Sequence, residues 1–296
     1  MILVSGGTGF IGRALIRHLI EDGKEVRLLI RPSAKPRLPT GIPLELTVSS
    51  LTDERGLAAA MRGVETVYHL AGAERAGIRA DLNTVDVEGT QLMVQTALRA
   101  GVSRFFYLSH LGADRSSAYP LLKAKGLAEN IITGSGIPYT IFRTAPVTGP
   151  GDQFTEPLKR LIQMSPFIFL NPDGGGTRLQ PIWIEDLITC LTLALDDPKT
   201  VNRLFQVGGE EYLTFTEIVK MILEKVGWRR TFVSFPSAYL RILGLWVEQF
   251  TSNFPFPLFW IDYLAVDRIC SLDTVPHYFG LIPARFSRNL DYLRKG

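Results

Sequence analysis

Gly6-Gly7-Thr8-Gly9-Phe10-Ile11-Gly12 follows a short apolar run, Ile2-Leu3-Val4, and opens an amphipathic stretch over residues 10–21. A glycine triplet by itself means little. Between a strand and a helix it has a defined physical use. Gly6 permits the tight reversal, Gly9 lets backbone come close to a pyrophosphate, and Gly12 lets the helix pack near the sheet. The helix start adds free amides and positive partial charge. The reading predicts a dinucleotide site whose first contacts are Gly6, Thr8, Gly9, Phe10, Ile11 and Gly12.

Outward from this turn, β-branched runs alternate with helical patterns. Strands are expected over residues 2–4, 25–30, 44–48, 66–71, 104–109 and 139–143, with helices over 10–21, 54–62, 85–100 and 122–133. Strict alternation of this kind specifies an α/β fold, a doubly wound parallel sheet of the Rossmann type, with ligand at the carboxyl ends of the strands. Beyond about Gly149 the texture changes. Residues 1–150 are read as the dinucleotide-binding domain, and 151–296 as a smaller substrate or partner domain folded over the cofactor crevice. Residues 178–184 read as a strand, and the segment 178–208 is expected to return to the sheet. Thr214 and Glu217 form a capping box.

The second strand runs straight into Arg31, with Ser33 and Lys35 behind it and no carboxylate at its end. An acidic residue there bonds a ribose 2′-hydroxyl, whereas arginine accommodates a 2′-phosphate. NADP(H) is therefore the expected cofactor. A solvated basic loop, with NAD(H) as cofactor, is the alternative.

Bulk properties narrow the function. A net charge of +3 without lysine or arginine runs gives no reason to expect nucleic acid. Cys190 and Cys270 stand far apart, and the four histidines lack metal-ligand spacing, so no metal is expected. The chain opens directly on a strand, which predicts work in the compartment of synthesis, the cytoplasm. Its apolar stretches, 239–247 and 254–266, are too short or too broken to span a bilayer. Peripheral contact with a membrane or a membrane complex stays open, as do the oligomeric state and the substrate.

With these residues in place the chain resembles the extended and atypical short-chain dehydrogenase/reductases. The likeness rests on the glycine turn, His69-Leu-Ala-Gly-Ala73, Val87-Glu-Gly-Thr90 and Phe106-Tyr-Leu-Ser109. It continues through Tyr119-x-x-x-Lys123, Phe142-Arg-Thr-Ala-Pro146, Gly149-Pro-Gly-Asp152 and residues 178–186. Within that superfamily it looks most like the NmrA-like branch, which includes the nucleotide-binding accessory subunit of respiratory complex I and epimerase/dehydratase-like proteins. The resemblance implies cofactor contacts from Leu70, Ala71 and Gly72. It also puts Ser50 where relatives carry an adenine-contacting aspartate, leaving Asp53 as a helix cap.

The resemblance further implies a tyrosine acid, a lysine that lowers its pKa and holds the nicotinamide ribose, and a serine that orients the substrate oxygen. Tyr119, Lys123 and Ser109 are the candidates, and an i, i+4 pair on a helix faces one side. Pro120 places Tyr119 at or before the helix start. A second register competes. Family members carry glutamate four residues after the lysine, which pairs Glu129 with Lys125 and leaves Leu121 at the tyrosine position. His110 stands where many relatives have the catalytic hydroxyl. It is either a substitute polar group or a loop histidine held by backbone. Asp86, where relatives often have asparagine, reads as a helix-start carboxylate. Gln180 and Trp183 would line the crevice floor if the strand at 178–184 crosses beneath the substrate; a core tryptophan is the other reading.

The expected function is an NADP(H)-dependent oxidoreductase acting on a small apolar carbonyl or alkene. The alternative is a catalytically degenerate structural or assembly subunit of a membrane complex that holds NADP(H) without turning it over. A redox-sensing regulator has no positive signal in these residues.

Overall fold

The computed structural model describes residues 1–32, 43–74, 80–250 and 258–294. Ser33 and Lys35 lie outside the described residues. The first half alternates as its pattern predicts. β1 (Ile2–Ser5), α1 (Phe10–Glu21), β2 (Val26–Ile30), β3 (Leu44–Val48), α2 (Glu54–Ala60) and β4 (Thr66–His69) come first. A π-helical turn, Asn83–Glu88, then runs into α3 (Gly89–Arg99), followed by β5 (Arg104–His110), α4 (Pro120–Gly134) and β6 (Tyr139–Thr144).

One seven-stranded sheet results, in the order strand Arg203–Val207, β6, β5, β4, β1, β2, β3. The pairings β3–β2, β2–β1, β1–β4 and β4–β5 are all parallel. Strands covered on both faces carry continuous apolar residues, and Leu3, Val4, Leu28, Val67, Phe105 and Phe142 are fully enclosed. Strand order reverses between β1 and β4, and the carboxyl ends at that switch point are where such sheets bind ligands.

The chain divides into two compact units. One comprises Met1–Ala73, Asp81–Arg143 and Ile188–Phe205; the other Glu74–Ala80, Thr144–Leu187 and Gln206–Gly296. Among the described residues the second unit contains three two-stranded ribbons. Val147–Thr148 pairs with Ile182–Trp183, Ile168–Pro172 with Thr231–Phe235, and Arg178–Leu179 with Leu213–Thr214. The capping box forms as expected, with Thr214 and Glu217 exchanging bonds at the start of Phe215–Val226. The single strand expected over 178–184 is broken instead. It divides into Arg178–Leu179 and Ile182–Trp183 around Gln180-Pro181, where proline offers no ladder donor. No helix among the described residues is long and apolar enough to cross a membrane.

Candidate functional site

The glycine turn is shaped by contacts that only glycine tolerates. Gly6 has φ of +76°, and a Cβ there would lie 2.6 Å from Leu70 C and Ala71 N. The turn and the end of β4 are thus pressed together, bringing Gly6 beside two further candidate contacts, Leu70 and Ala71. A Cβ on Gly12 would stand 2.4 Å from the Gly6 carbonyl oxygen, so α1 sits directly on the turn. Gly9 is the N-cap of α1 and supplies no side-chain cap, which leaves first-turn amides to a ligand. Its own missing Cβ would approach the Gly6 carbonyl oxygen at 3.1 Å. Arg13 donates from Nη1 to the Thr8 carbonyl oxygen at 2.8 Å and braces the loop. A backbone cradle that side chains would fill, under uncapped amides at a helix start, fits a pyrophosphate.

The flanking candidates take the places their strands give them. Arg31 follows β2 directly and is exposed; Ser50 follows β3, its hydroxyl 2.8 Å from that of Thr52. Asp53 caps α2, accepting from Gly56 N at 3.0 Å. Gly72 is exposed just beyond β4.

Beneath the turn runs a buried hydrogen-bonded chain. Ser5 Oγ lies 2.6 Å from His69 Nδ1, His69 Nε2 lies 3.0 Å from Thr90 Oγ1, and Thr90 Oγ1 donates to the Asp86 carbonyl at 2.6 Å. Thr90 has one hydroxyl proton and gives it to Asp86, so it accepts from His69 Nε2–H. Nδ1 then accepts from Ser5, which fixes one neutral tautomer. Burial, and secondarily the charge of Lys125, pushes the His69 pKa down to about 3. These partners lie 64 and 21 residues apart. His69 and Thr90 lie in the quoted motifs, but nothing local in the sequence signals that they pair with each other or with Ser5.

Asp86 corrects the reading of a helix-start carboxylate. It is wholly buried within the π-helical turn, accepts from Ala73 N at 3.0 Å and pairs with Lys125 Nζ at 3.0 Å. Lys125 is itself buried, 5.4 Å above the Tyr107 ring centroid. On α4 the residue one turn earlier is Leu121, also buried. Lys123 is exposed, two residues and therefore about 200° around the helix from Lys125. Tyr119 is the partly exposed N-cap of α4. Ser109 is buried near the end of β5, and His110 is partly buried at its last position. The structure therefore gathers Gly6, Leu70, Ala71, Ala73, Asp86 and Lys125 into one connected set, and directs Lys123 away from Lys125.

Glu129, the acidic residue that fixes the second register, holds Arg143 through Nε–Oε1 at 2.9 Å and Nη2–Oε2 at 2.5 Å. In the second unit Gln180 is sealed in by structural bonds. Its Nε2 donates to the Gly209 carbonyl at 2.8 Å, and its Oε1 accepts from Cys270 N at 2.8 Å. Trp183 lies 6.1 Å from Tyr292, ring to ring. Asp152 of the Gly-Pro-Gly-Asp loop is buried and accepts from the amides of Gly149, Phe154 and Thr155, starting the helix Thr155–Met164.

A sheet reversing at β1/β4, with a glycine cradle at that point, is the architecture of a nicotinamide-dinucleotide binder. A profile described as NAD(P)H-binding matches residues 6–158, more than half of the chain. The chain belongs to this NAD(P)H-binding family. Among curated proteins similar to this family member is subunit 9 of the NADH dehydrogenase [ubiquinone] 1 alpha subcomplex, mitochondrial, from Arabidopsis thaliana. It is 27% identical, covering 99% of this chain and 78% of that protein. A ceramide reductase of Caulobacter vibrioides is 27% identical, covering 99% and 94%. The photosystem II assembly factor Ycf39 of Synechocystis is 24% identical, covering 99% and 90%. In fold the chain is similar to MoeE5 in complex with UDP-glucose and NAD, with a TM-score of 0.75, 18% identity, and coverage of 99% and 97%. It is likewise similar to a short-chain dehydrogenase/reductase superfamily protein from Agrobacterium tumefaciens with bound NAD, with a TM-score of 0.73, 20% identity, and coverage of 99% and 95%. The expected resemblance to the complex I accessory subunit and to reductases stands in sequence, and that to epimerase- and short-chain dehydrogenase/reductase-type proteins stands in fold.

Proposed function

We propose that this protein holds NADP(H) as a structural or assembly factor, with the redox pair of its family dismantled. The observation that carries this is the buried Lys125–Asp86 ion pair at 3.0 Å, one helical turn from Leu121. A lysine assists a tyrosine acid by its uncompensated charge, which stabilises the phenolate. With a carboxylate in contact, that field is cancelled. With leucine one turn earlier, α4 itself places no tyrosine beside Lys125. When bound, the nicotinamide supplies a hydride donor or acceptor. The glycine turn would hold the dinucleotide through backbone amides, and the titratable groups nearest that turn, a buried neutral His69 and an ion-paired Lys125, offer no free acid. Relatives named as a complex subunit and as an assembly factor support this reading. Arg31 at the end of β2 supports NADP(H) over NAD(H), because a guanidinium pairs with a 2′-phosphate.

Purified protein is expected to retain NADP(H) and to leave it unoxidised when offered carbonyl and enone acceptors. Arg31→Ala should weaken NADPH binding at least ten-fold, leaving NADH binding within two-fold. Equal losses for both nucleotides would remove the argument from Arg31. The second reading is an NADP(H)-dependent oxidoreductase with Tyr119 as its acid. It is favoured by the partial exposure of Tyr119 at the start of α4 and by a relative named a ceramide reductase. Turnover that drops a hundred-fold or more in Tyr119→Phe would establish that reading and overturn ours.

A further inference from the structure

The helix Ser237–Phe250 is amphipathic the wrong way round. Surface helices bury an apolar stripe and show polar residues to water. Here the positions turned inward are Ser237, Leu240, Gly244, Val247 and Glu248, with Gly244 and Glu248 buried. Tyr239, Ile242, Leu243, Trp246 and Phe250 point outward, each between 52% and 77% exposed. The inner face is already occupied. A Cβ on Gly244 would lie 3.4 Å from Leu258 and Ile261 side chains, so the helix Leu258–Tyr263 packs there, and Glu248 accepts from Leu258 N. Burying a large apolar side chain is worth about 1.5–3 kcal/mol. Five of them left in water on one helix call for an external partner.

The chemistry of the face says which. Of its exposed residues only Arg241 is charged and only Gln249 carries an amide. Both nearby carboxylates are turned in: Glu248 is buried, and Asp262, buried as well, holds Arg241 Nε at 2.8 Å while half of the arginine side chain stays exposed. Protein interfaces need about one hydrogen bond per 100–200 Å², and besides Arg241 and Gln249 the outward face offers only the Tyr239 hydroxyl and the Trp246 indole N–H. A lipid surface needs none. Tyr239 and Trp246, each an apolar ring with one polar atom, suit the headgroup boundary, and Ile242, Leu243 and Phe250 beside them suit the acyl edge. The face turns no carboxylate outward, its one cation is half exposed beside Asp262, and the chain carries a net charge of +3, so nothing on it repels anionic headgroups. We infer that Ser237–Phe250 is an interfacial helix that seats this protein on an anionic bilayer. The inference is independent of the reading of the cofactor site.

The test is flotation of the full chain with phosphatidylcholine vesicles, with and without phosphatidylglycerol. Binding is expected to phosphatidylglycerol-containing vesicles, weakening with added salt. The Leu243→Glu/Trp246→Glu variant should bind at least ten-fold more weakly with unchanged NADP(H) content. Should that variant misfold, Trp246→Ser and quenching of wild-type tryptophan fluorescence by brominated lipid, reduced in Trp246→Phe, serve in its place. Failure to float with phosphatidylglycerol vesicles, or equal flotation of the variants, overturns the inference. So does a wild-type dimer in analytical ultracentrifugation that the same substitutions dissociate, because the face would then belong to a second copy. NADP(H) retention is read separately, so neither result stands in for the other.

Discussion

Lys125 and Asp86 test the central claim at the scale of single residues. Each is buried, and removing one strands the charge of the other, at a cost of about 3–5 kcal/mol. Lys125→Met alone and Asp86→Leu alone should each lower urea-unfolding stability by that amount. The double variant should recover most of it, because an apolar pair of similar volume needs no compensation. Single losses that simply add would show the two side chains to be uncoupled. His69 gives a pH signature. Its folded pKa, about 3, lies below the ordinary 6.5, so between those values the unfolded chain binds a proton the folded chain refuses. Stability therefore rises with pH in that window, is complete above 6.5, and falls as pH drops, by about 1.4 kcal/mol per unit for one group. Between pH 6.5 and 5, above most carboxylate titration, the loss is expected to reach about 2 kcal/mol. His69→Gln should flatten it, and an unchanged slope in that variant would assign the effect to other groups.

Among the elements, the glycine turn makes the sharpest prediction. Gly12→Ala would put a methyl 2.4 Å from Gly6 O and 2.5 Å from Gly7 Cα, both backbone atoms that cannot rotate away. α1 must shift, so NADPH titration should show at least a ten-fold weaker site, with about 1–3 kcal/mol of stability lost to overpacking. Gly134→Ala, with nothing within 4 Å, is the control and should change neither. This turn was legible because the residues that shape it come in order, strand, three glycines, amphipathic helix, even though Gly6 also meets the distant end of β4. The alternation of strands and helices was legible for the same reason. The π-helical turn was not. Its extra residue per turn points Asp86 at a lysine 39 positions further on, and a 3.6-residue period carries no record of that. The strand expected over 178–184 failed at Pro181, where the lost donor outweighed the β-branched run. Gln180, expected at a crevice floor, is instead consumed by bonds to Gly209 and Cys270.

At the scale of the whole chain, the sheet-bearing unit is assembled from three segments, and the third, Ile188–Phe205, comes from late in the sequence. Its role is visible in what it completes. Tyr68 Oη donates to the Leu191 carbonyl at 2.9 Å. The buried guanidinium of Arg104 donates to Thr140 Oγ1 at 2.7 Å, Thr200 Oγ1 at 2.5 Å and the Ala194 carbonyl at 3.3 Å. Phe205 lies against Phe142, ring centroids 5.6 Å apart, and its strand covers the edge that β6 would otherwise expose. A fragment ending at residue 150 keeps all of the glycine turn and all of β1–β6, yet loses Leu191, Ala194, Thr200 and Phe205. A stranded buried charge costs about 3–5 kcal/mol and an unpaired buried hydroxyl about 1–3 kcal/mol. Those losses are comparable to the 5–15 kcal/mol by which a whole domain is stable. The fragment 1–150 is therefore expected to show no fixed near-UV circular dichroism, no cooperative urea transition and no NADPH binding. The same fragment joined through a flexible linker to residues 184–208 should recover all three. Cooperative unfolding of 1–150 alone, with NADPH bound, would mean that the late segment decorates the sheet and does not complete it.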